Sequence, residues 1–184
     1  QAFGSLIKKK KAGSIGKISS FSANPMKLFS GIGEFGFITT SEKILYDRIL
    51  NLRYSGLDLK KIDCNFPEIN HKPDELNSIV LLEKLKVLKK IIKKRISNAQ
   101  TYNRLLNKKI IKPIYYNNYQ SIYYTYSILV DKEIRSELIS FLASKKIEVK
   151  IQHEKTVLDI PGLKKYIKNK NGKLGNANDL KKRI

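Results

Sequence analysis

The sequence predicts an α/β fold, and three stretches of the chain carry that prediction. Residues 17–40 contain two short runs of strand-forming residues, separated by a loop that is rich in glycine and proline. Residues 76–106 place apolar side chains at the three- and four-residue spacing of one long helix. Residues 122–151 show the order strand, helix, strand. Strands that alternate with helices in this way are typical of α/β domains.

The first part of the chain is predicted to form two strands and a helix. The strands cover residues 17–23 and 34–40, which are rich in residues that favour extended backbone. Ser41 is a favourable N-cap, so a helix is predicted from there to about Arg53. Residues 57–72 show no apolar periodicity and are predicted to be irregular.

The longest predicted element is a helix that opens at Pro73-Asp74-Glu75, where proline and acidic residues suit a first turn. A helix of about 33 residues would be about 50 Å long, so we expect it to bridge two domains. Beyond it we predict a strand over 122–130, a helix over 132–145 capped by Asp131, and a strand over 147–151.

The chain is strongly basic, with 37 Lys and Arg against 16 Asp and Glu and a formal net charge of +21. One interpretation is a module that binds nucleic acid by neutralising its phosphates. The other, which we favour, is a lysine-rich composition without that role. Only six of the basic residues are arginines, and the lysines are scattered along the chain. We therefore expect no nucleic-acid partner.

The composition also bears on location and on metal binding. The apolar runs of about four or five residues are much shorter than the ~20 that cross a bilayer, so we expect no membrane association. The single cysteine, Cys64, excludes a disulfide framework within the chain and favours the reducing cytoplasm. His71 and His153 are isolated, so no metal site is predicted. The sole methionine is Met26, so we expect that Gln1 is not the native N-terminus.

Lys27 is the candidate catalytic residue. It follows a predicted strand, in a loop that begins with Asn24-Pro25 and continues to Gly31 and Gly33. A lysine amine can form a Schiff base with a cofactor aldehyde when its surroundings position it. The position alone is not distinctive, because the chain contains 31 lysines.

The sequence around Lys27 is more specific than the lysine itself. Five short blocks occur in a fixed order: Gln1-Ala2-Phe3-Gly4, Gly13-Ser14-Ile15-Gly16, Ser22-Ala23-Asn24-Pro25-Met26-Lys27, Gly33-Glu34-Phe35-Gly36 and Leu52-Arg53-Tyr54-Ser55-Gly56. As a set, and at these spacings, they resemble the DegT/DnrJ/EryC1/StrS sugar aminotransferases. The resemblance continues through Ile69-Asn70-His71-Lys72, Asp74-Glu75-Leu76, and Arg95 with Ala99 and Tyr102.

The resemblance implies a pyridoxal-phosphate (PLP) dependent transferase of fold type I. It implies that residues 1–65 are the C-terminal part of the large PLP-binding domain and that residues 66–108 are a connecting segment and the long bridging helix. Residues 109–184 would form a small C-terminal α/β domain. Both the large and the small domain are expected to be incomplete in this chain.

The resemblance also assigns roles to four residues. Lys27 would bind PLP covalently and later carry a proton. Ser22 would hydrogen-bond the PLP phosphate, and Gln1 would contact the cofactor near its phenolic oxygen. Asn70 would reach the phosphate of PLP in a neighbouring subunit, which implies a homodimer. A strand serine at position 22 and a turn asparagine at position 70 are the purely structural alternatives.

Four residues, at three places in the chain, depart from the family pattern. Phe35 stands where the family has the first glycine of a pair, and Lys72 replaces an arginine, which loses bidentate phosphate geometry. Ala23-Asn24 replaces an aromatic pair before Pro25. These departures fit either a divergent subfamily or a gene that is losing function. The aspartate that pairs with the pyridine nitrogen in the family would lie before Gln1.

The implied reaction moves an amino group, usually from glutamate, to the keto carbon of a nucleotide-linked deoxysugar, in cell-surface polysaccharide or amino-sugar biosynthesis. A related branch that removes a sugar hydroxyl has histidine in place of the lysine, and Lys27 argues against that branch. The 184-residue chain alone is expected to be inactive. The alternative is an inactive fragment or a non-enzymatic basic module that binds nucleic acid.

Overall fold

The structure is a computed structural model, and it describes residues 1–58, 60, 63–152, 154–166 and 175–183. The chain divides into two compact units. The first comprises Gln1–Thr101 and Tyr115–Tyr124, and the second comprises Tyr102–Ile114 and Thr125–Ile184. The prediction of three segments, 1–65, 66–108 and 109–184, stays a prediction.

The described residues of the first unit form seven short strands in three small antiparallel sheets. The strands are β1 (Leu6–Ile7), β2 (Lys10–Lys11), β3 (Ile18–Ser22), β4 (Gly36–Thr40), β5 (Leu57–Asp58), β6 (Asp63–Cys64) and β7 (Tyr119–Gln120). One sheet has the strand order β2-β1-β7, one pairs β3 with β4, and one pairs β5 with β6.

The predictions for the first unit are largely confirmed. Strands β3 and β4 fall within the two predicted ranges. Helix α1 (Lys43–Arg53) begins two residues after the predicted cap. Its N-cap is Glu42, which makes no side-chain capping hydrogen bond, and the Thr40 hydroxyl accepts the Glu42 N–H at 3.1 Å. Ser41 is therefore not the cap. The segment predicted to be irregular contains the short pair β5 and β6.

Helix α2 (Glu75–Leu105) has 31 residues and confirms the long helix predicted from apolar spacing. Its residues 75–101 belong to the first unit and 102–105 to the second. Among the helices that the structure describes, none is both long and apolar enough to span a bilayer.

The core of the first unit forms where one face of α2 meets the β3–β4 hairpin and its connecting loop. Phe3, Phe21, Phe29 and Phe37 form a ring cluster with centroids 4.8 to 5.8 Å apart. Aromatic pairs at these separations add to the stabilisation that burial provides. The buried members of this core are Ala23, Phe29, Leu81, Leu88, Ile92 and Ile122.

The second unit contains helices α3 (Arg135–Ser144) and α4 (Gly175–Arg183) and two 3₁₀ helices, Val157–Asp159 and Pro161–Tyr166. Helix α3 begins three residues later than predicted. Asp131 contributes its backbone carbonyl, which accepts the N–H of Ile134 at 3.1 Å, and it is not a side-chain cap.

The two strands predicted at 122–130 and 147–151 are wrong. Within the described residues, the first contributes only a bridge between Ile111 and Leu129, with N···O distances of 3.1 and 2.9 Å, and the second pairs with nothing. Residues that favour extended backbone form a strand only when a neighbouring backbone completes the hydrogen-bond ladder. In the described part of the chain only Ile111 offers such a partner.

Candidate functional site around Lys27

Lys27 lies in the loop that connects β3 to β4, and a tight turn places it there. The Lys27 N–H donates to the Asn24 carbonyl at 2.9 Å. The Asn24 side chain reinforces the turn, because its Oδ1 accepts the N–H of Met26 at 3.1 Å. Pro25 restricts the backbone at the second position of this turn, so the sequence Asn-Pro-Met-Lys specifies the conformation locally.

Ala23, which is completely buried, hydrogen-bonds through both of its backbone groups to residues near the far end of the loop. The Ala23 N–H donates to the Phe35 carbonyl at 2.7 Å, and the Ala23 carbonyl accepts the N–H of Gly31 at 2.7 Å. The turn that carries Lys27 is thus closed by backbone hydrogen bonds on both sides, which removes much of the conformational freedom of a free loop.

Helix α2 holds the second half of the loop through a buried amide. Asn77 is 7% exposed, and its Oδ1 accepts the N–H of Ile32 at 2.8 Å. Glycine at position 31 leaves room for this amide, because a Cβ there would lie 2.5 Å from the Asn77 Oδ1 and would displace it. Two helical turns further along α2, Lys84 donates from Nζ to the Ser30 hydroxyl at 2.7 Å. Two side chains of α2 therefore fix residues 30–32.

The Lys27 side chain is half-buried beside an aromatic ring from a distant part of the sequence. Its Nζ lies 5.7 Å from the centroid of the Tyr124 ring. The Tyr124 hydroxyl donates to the Met26 carbonyl at 2.7 Å. The sequence does not indicate a role for Tyr124, because residues 122–130 have the composition of a strand and no local pattern connects them to Lys27.

Ser22 lies at the end of β3, five residues before Lys27, and is exposed. It pairs with Gly36 in the register of the hairpin, and its Oγ accepts a long hydrogen bond of 3.5 Å from the Asn24 N–H. Ser22 therefore lies at the end of the β3–β4 hairpin from which the loop with Lys27 leaves.

Gln1 and Asn70 are both exposed. Asn70 forms an isolated bridge with Tyr54, and its Oδ1 accepts the Lys72 N–H at 3.0 Å. The Lys72 Nζ lies 3.9 Å from the centroid of the Tyr54 ring. In the described part of the chain, no hydrogen bond joins Gln1 or Asn70 to the Lys27 turn.

Of the two histidines, the structure describes only His71. His71 contacts the Glu68 carboxylate at 3.2 Å. The N–H of Ile69 and then the His71 ring hold the pKa of Glu68 below its usual value. His153 lies outside the described residues. Among those that are described, no group of three or more His, Cys, Asp or Glu residues is arranged to hold a metal ion.

Similarity to known proteins is strong along the whole chain. The sequence profile of the DegT/DnrJ/EryC1/StrS aminotransferase family matches residues 1–184. GDP-perosamine synthase of Escherichia coli O157:H7 is 30% identical over 155 residues, which is 82% of this chain and 42% of that protein. The chain thus spans less than half the length of this relative.

Solved structures show the same fold. A DegT DnrJ EryC1 StrS aminotransferase from Brucella abortus superposes with a TM-score of 0.88 at 25% identity, over 98% of this chain and 48% of that one. The protein ntda from Bacillus subtilis, crystallised with the bound cofactor PMP, has a TM-score of 0.78 at 21% identity, over 91% and 40%. Both support the predicted mixed α/β fold, and aminotransferases of this kind use PLP. The chain belongs to the DegT/DnrJ/EryC1/StrS aminotransferase family.

Proposed function

We propose that this chain is part of a PLP-dependent aminotransferase that acts on a nucleotide-linked keto-deoxysugar, with glutamate as the amino donor. In the net reaction the amino group of the donor replaces the keto oxygen of the sugar, and the donor becomes a 2-oxo acid. The observation that carries the proposal is the position of Lys27, on a turn pinned at both ends in a chain of an aminotransferase family.

The residues around Lys27 suit PLP. An aldehyde needs an amine, which Lys27 supplies at the end of a flexible four-carbon stem. A phosphate needs hydrogen-bond donors, and the exposed Ser22 hydroxyl lies at the same end of the hairpin. Gln1 would contact the cofactor near its phenolic oxygen. When bound, PLP would supply the electron sink for the carbon that gains or loses the amino group.

Lys27 would have two tasks. Its amine would bind the cofactor aldehyde, and it would then move a proton at the carbon that is aminated. Both tasks need the Nζ in a defined place, and the turn at Asn24 to Lys27 provides a fixed backbone for it. Within the described residues of one chain, no hydrogen bond joins Asn70 to the Lys27 turn. Asn70 would instead contact the PLP phosphate of a second subunit in a homodimer.

We extend the proposal to the domain organisation of the protein and to the pathway in which it would act. Residues 1–65 would belong to an incomplete large domain of a fold type I transferase, α2 would bridge to the small domain, and residues 109–184 would form an incomplete small domain. A cytoplasmic enzyme of this kind would make amino sugars for a cell-surface polysaccharide. The similarity to GDP-perosamine synthase supports a nucleotide-linked substrate.

The proposal is tested by mapping where PLP attaches. The full-length protein is incubated with PLP, reduced with borohydride, digested, and examined by peptide mass spectrometry. Most of the label is expected on Lys27, and Lys27→Ala should remove both the label and the absorbance of lysine-bound PLP.

The matched control is Lys43→Ala, since Lys43 is an exposed lysine that also lies near a tyrosine ring, at 5.2 Å from the centroid of Tyr46. This variant should keep the Lys27 label. Label spread over many lysines, and unchanged by Lys27→Ala, would overturn the assignment.

A further inference from the structure

Arg95, on α2, holds the backbone of a segment that is distant in sequence. Its Nε and Nη2 donate to the Tyr123 carbonyl at 3.0 and 2.8 Å, and Nη2 also donates to the Tyr124 carbonyl at 2.7 Å. The guanidinium is a rigid planar fork of donors, so three short bonds to two successive carbonyls fix both the position and the direction of that backbone.

The backbone that Arg95 holds is in a rarely adopted conformation. Tyr123 has φ 47°, in the left-handed region that a residue with a bulky side chain seldom occupies. Such a conformation persists only when the surrounding contacts determine it. The three hydrogen bonds from Arg95 are contacts of that kind, and Ile122, directly before, is only 2% exposed and packs in the core.

Tyr124, the next residue, connects this held backbone to the candidate catalytic lysine. Its hydroxyl donates to the carbonyl of Met26, the residue before Lys27, at 2.7 Å. Its ring centroid lies 5.7 Å from the Lys27 Nζ, within the range where a cation is attracted to an aromatic face. One side chain therefore contacts Lys27 at both ends, through the preceding carbonyl and through the amine.

We infer that Tyr124 and Arg95 are positioning residues for Lys27: Tyr124 fixes where the lysine amine lies, and Arg95 acts through Tyr124 by fixing its backbone. This inference rests on the proposed function, in which Lys27 binds the cofactor.

Lys27 needs positioning residues because a lysine side chain is flexible. The four-carbon stem of lysine has several rotatable bonds and therefore substantial rotamer entropy. A turn that fixes only the backbone leaves this side chain free to rotate. The ring of Tyr124 restricts the end of the stem, and the hydroxyl restricts its base. Effective attack on an aldehyde depends on such restriction, because a small misplacement of the reacting amine costs rate.

The test measures Lys27 in two ways in the full-length protein. The first readout is the apparent dissociation constant of PLP at Lys27, from borohydride trapping and peptide mass spectrometry. The second is the rate at which a small neutral acylating reagent modifies Lys27 in the absence of PLP. The variants are Tyr124→Phe, Tyr124→Leu, Arg95→Met, Arg95→Lys and the double variant Arg95→Met with Tyr124→Leu.

Tyr124→Phe loses the hydrogen bond to Met26 and keeps the ring, so the PLP dissociation constant should rise about fivefold. Tyr124→Leu loses both contacts and should raise it about tenfold or more. In Tyr124→Leu the acylation of Lys27 should become faster, because the ring no longer covers the amine. Arg95→Met should act in the same direction, and Arg95→Lys should recover only part of the loss because an ammonium lacks the planar fork.

The double variant tests whether Arg95 acts through Tyr124. If it does, adding Arg95→Met to Tyr124→Leu should have little further effect, since coupled residues are not additive. Additive effects would overturn the role of Arg95. Tyr46→Leu and Arg48→Met are the matched controls, with Lys43 as the reference lysine for acylation in the Tyr124 and Arg95 variants, and circular dichroism reports any general loss of structure.

The outcomes separate this inference from the proposed function. If Lys27 fails to trap PLP in the unchanged protein, the proposed function is wrong, while the acylation arm still reports on positioning. If Lys27 traps PLP but neither readout changes in Tyr124→Leu, the positioning role is wrong. Equal changes at Lys27 and Lys43 would assign both residues to general stability and would also overturn it.

Discussion

The two compact units are stabilised by different kinds of contact. Apart from Val130, every buried apolar side chain that the structure describes belongs to the first unit, where a cluster of phenylalanines packs against α2. The described part of the second unit depends instead on polar contacts. Asp159 accepts hydrogen bonds from Lys181 Nζ at 2.7 Å and from the Thr156 N–H at 2.7 Å, and Arg183 donates to the Val130 carbonyl at 3.3 Å.

Because their contacts differ, the two units should respond differently to pH and to salt. Burial of apolar surface is almost independent of pH and of moderate salt, whereas a partly exposed ion pair depends on both. The first unit carries the Lys27 turn, so the candidate site is built on the contacts that are least sensitive to solution conditions. The following substitutions test this contrast, and each compares a position in one unit with a matched position in the other where the chain offers one.

The largest effect is expected at the aromatic core. Phe29 is 9% exposed and its ring lies 4.8 Å from that of Phe3, so Phe29→Ala should destabilise the first unit by about 3–5 kcal/mol. Phe141→Ala removes a ring that is 55% exposed in the second unit and should cost less than about 1 kcal/mol. Urea unfolding of both variants measures the difference. Similar losses would show that the second unit also has an apolar core.

Two glycines offer a smaller but cleaner contrast. Gly56 has φ 73°, and a Cβ there would lie 1.7 Å from the Phe66 carbonyl oxygen, so Gly56→Ala should cost about 2 kcal/mol or more. At Gly162, in the second unit, no atom of the described residues lies within 4 Å of such a Cβ, so Gly162→Ala should change stability by less than about 0.5 kcal/mol. A thermal melt of each variant is sufficient. A tolerated Gly56→Ala would contradict the close backbone approach.

A loss of about 1–3 kcal/mol is expected for Asn77→Ala, which leaves the buried N–H of Ile32 without its acceptor. Asn103→Ala is the counterpart in the second unit. It removes the acceptor for the Tyr126 hydroxyl, at 2.6 Å, in a less buried place and should cost less. Hydrogen exchange resolved by peptide is the measurement, and protection of residues 30–33 should fall in Asn77→Ala alone. Unchanged protection there would mean that the amide does not hold the loop.

The smallest effect is a pH dependence confined to the second unit. The hydrogen bond from Lys181, followed by those from Thr156, lowers the pKa of Asp159 from 3.8 to about 2. A carboxyl whose pKa is lower in the folded chain stabilises the fold above its unfolded pKa, and that stabilisation is lost as the pH falls through the folded value. The second unit should therefore weaken between about pH 4 and pH 2, while this group leaves the first unit unaffected.

The carboxyl carbon shift of Asp159, followed by NMR, should titrate with a midpoint of about 2. In Lys181→Met the midpoint should move up toward 3.8, because the first and largest cause is removed. A midpoint near 3.8 in the unchanged chain would show that the Lys181–Asp159 contact is not formed in solution.

The parts of the site that the sequence predicted are local ones. Asn24 and Pro25 specify a turn by contacts within three residues, so the placement of Lys27 on a loop after a strand was predictable. The contact of Tyr124 with Met26 joins residues 98 positions apart. No periodicity or turn rule reports such a contact, and the same residues carry the extended-backbone preference that led to the wrong strand at 122–130.

In the overall fold, too, some elements were predictable from the sequence and others were not. The 31-residue helix α2 was predictable because apolar spacing over many turns is a strong signal. The predicted N-cap of α1 is one residue too early because Ser41 and Glu42 both suit a helix start, and the choice depends on the hydroxyl of Thr40. The roles of Lys27, Ser22, Gln1 and Asn70 came from the family resemblance and stay predictions.

The completely buried Ala23, hydrogen-bonded on both sides, has a consequence for how this loop can vary in evolution. A larger side chain at position 23 would displace its core neighbours and disturb the hydrogen bonds to Phe35 and Gly31. The volume of the residue at this position can therefore scarcely change. Met26, three residues away, is 68% exposed and contributes to the site through its backbone N–H and carbonyl, which every residue except proline provides. Within a few residues of the candidate lysine, the chain therefore combines a position that can scarcely change with one where sequence can drift freely.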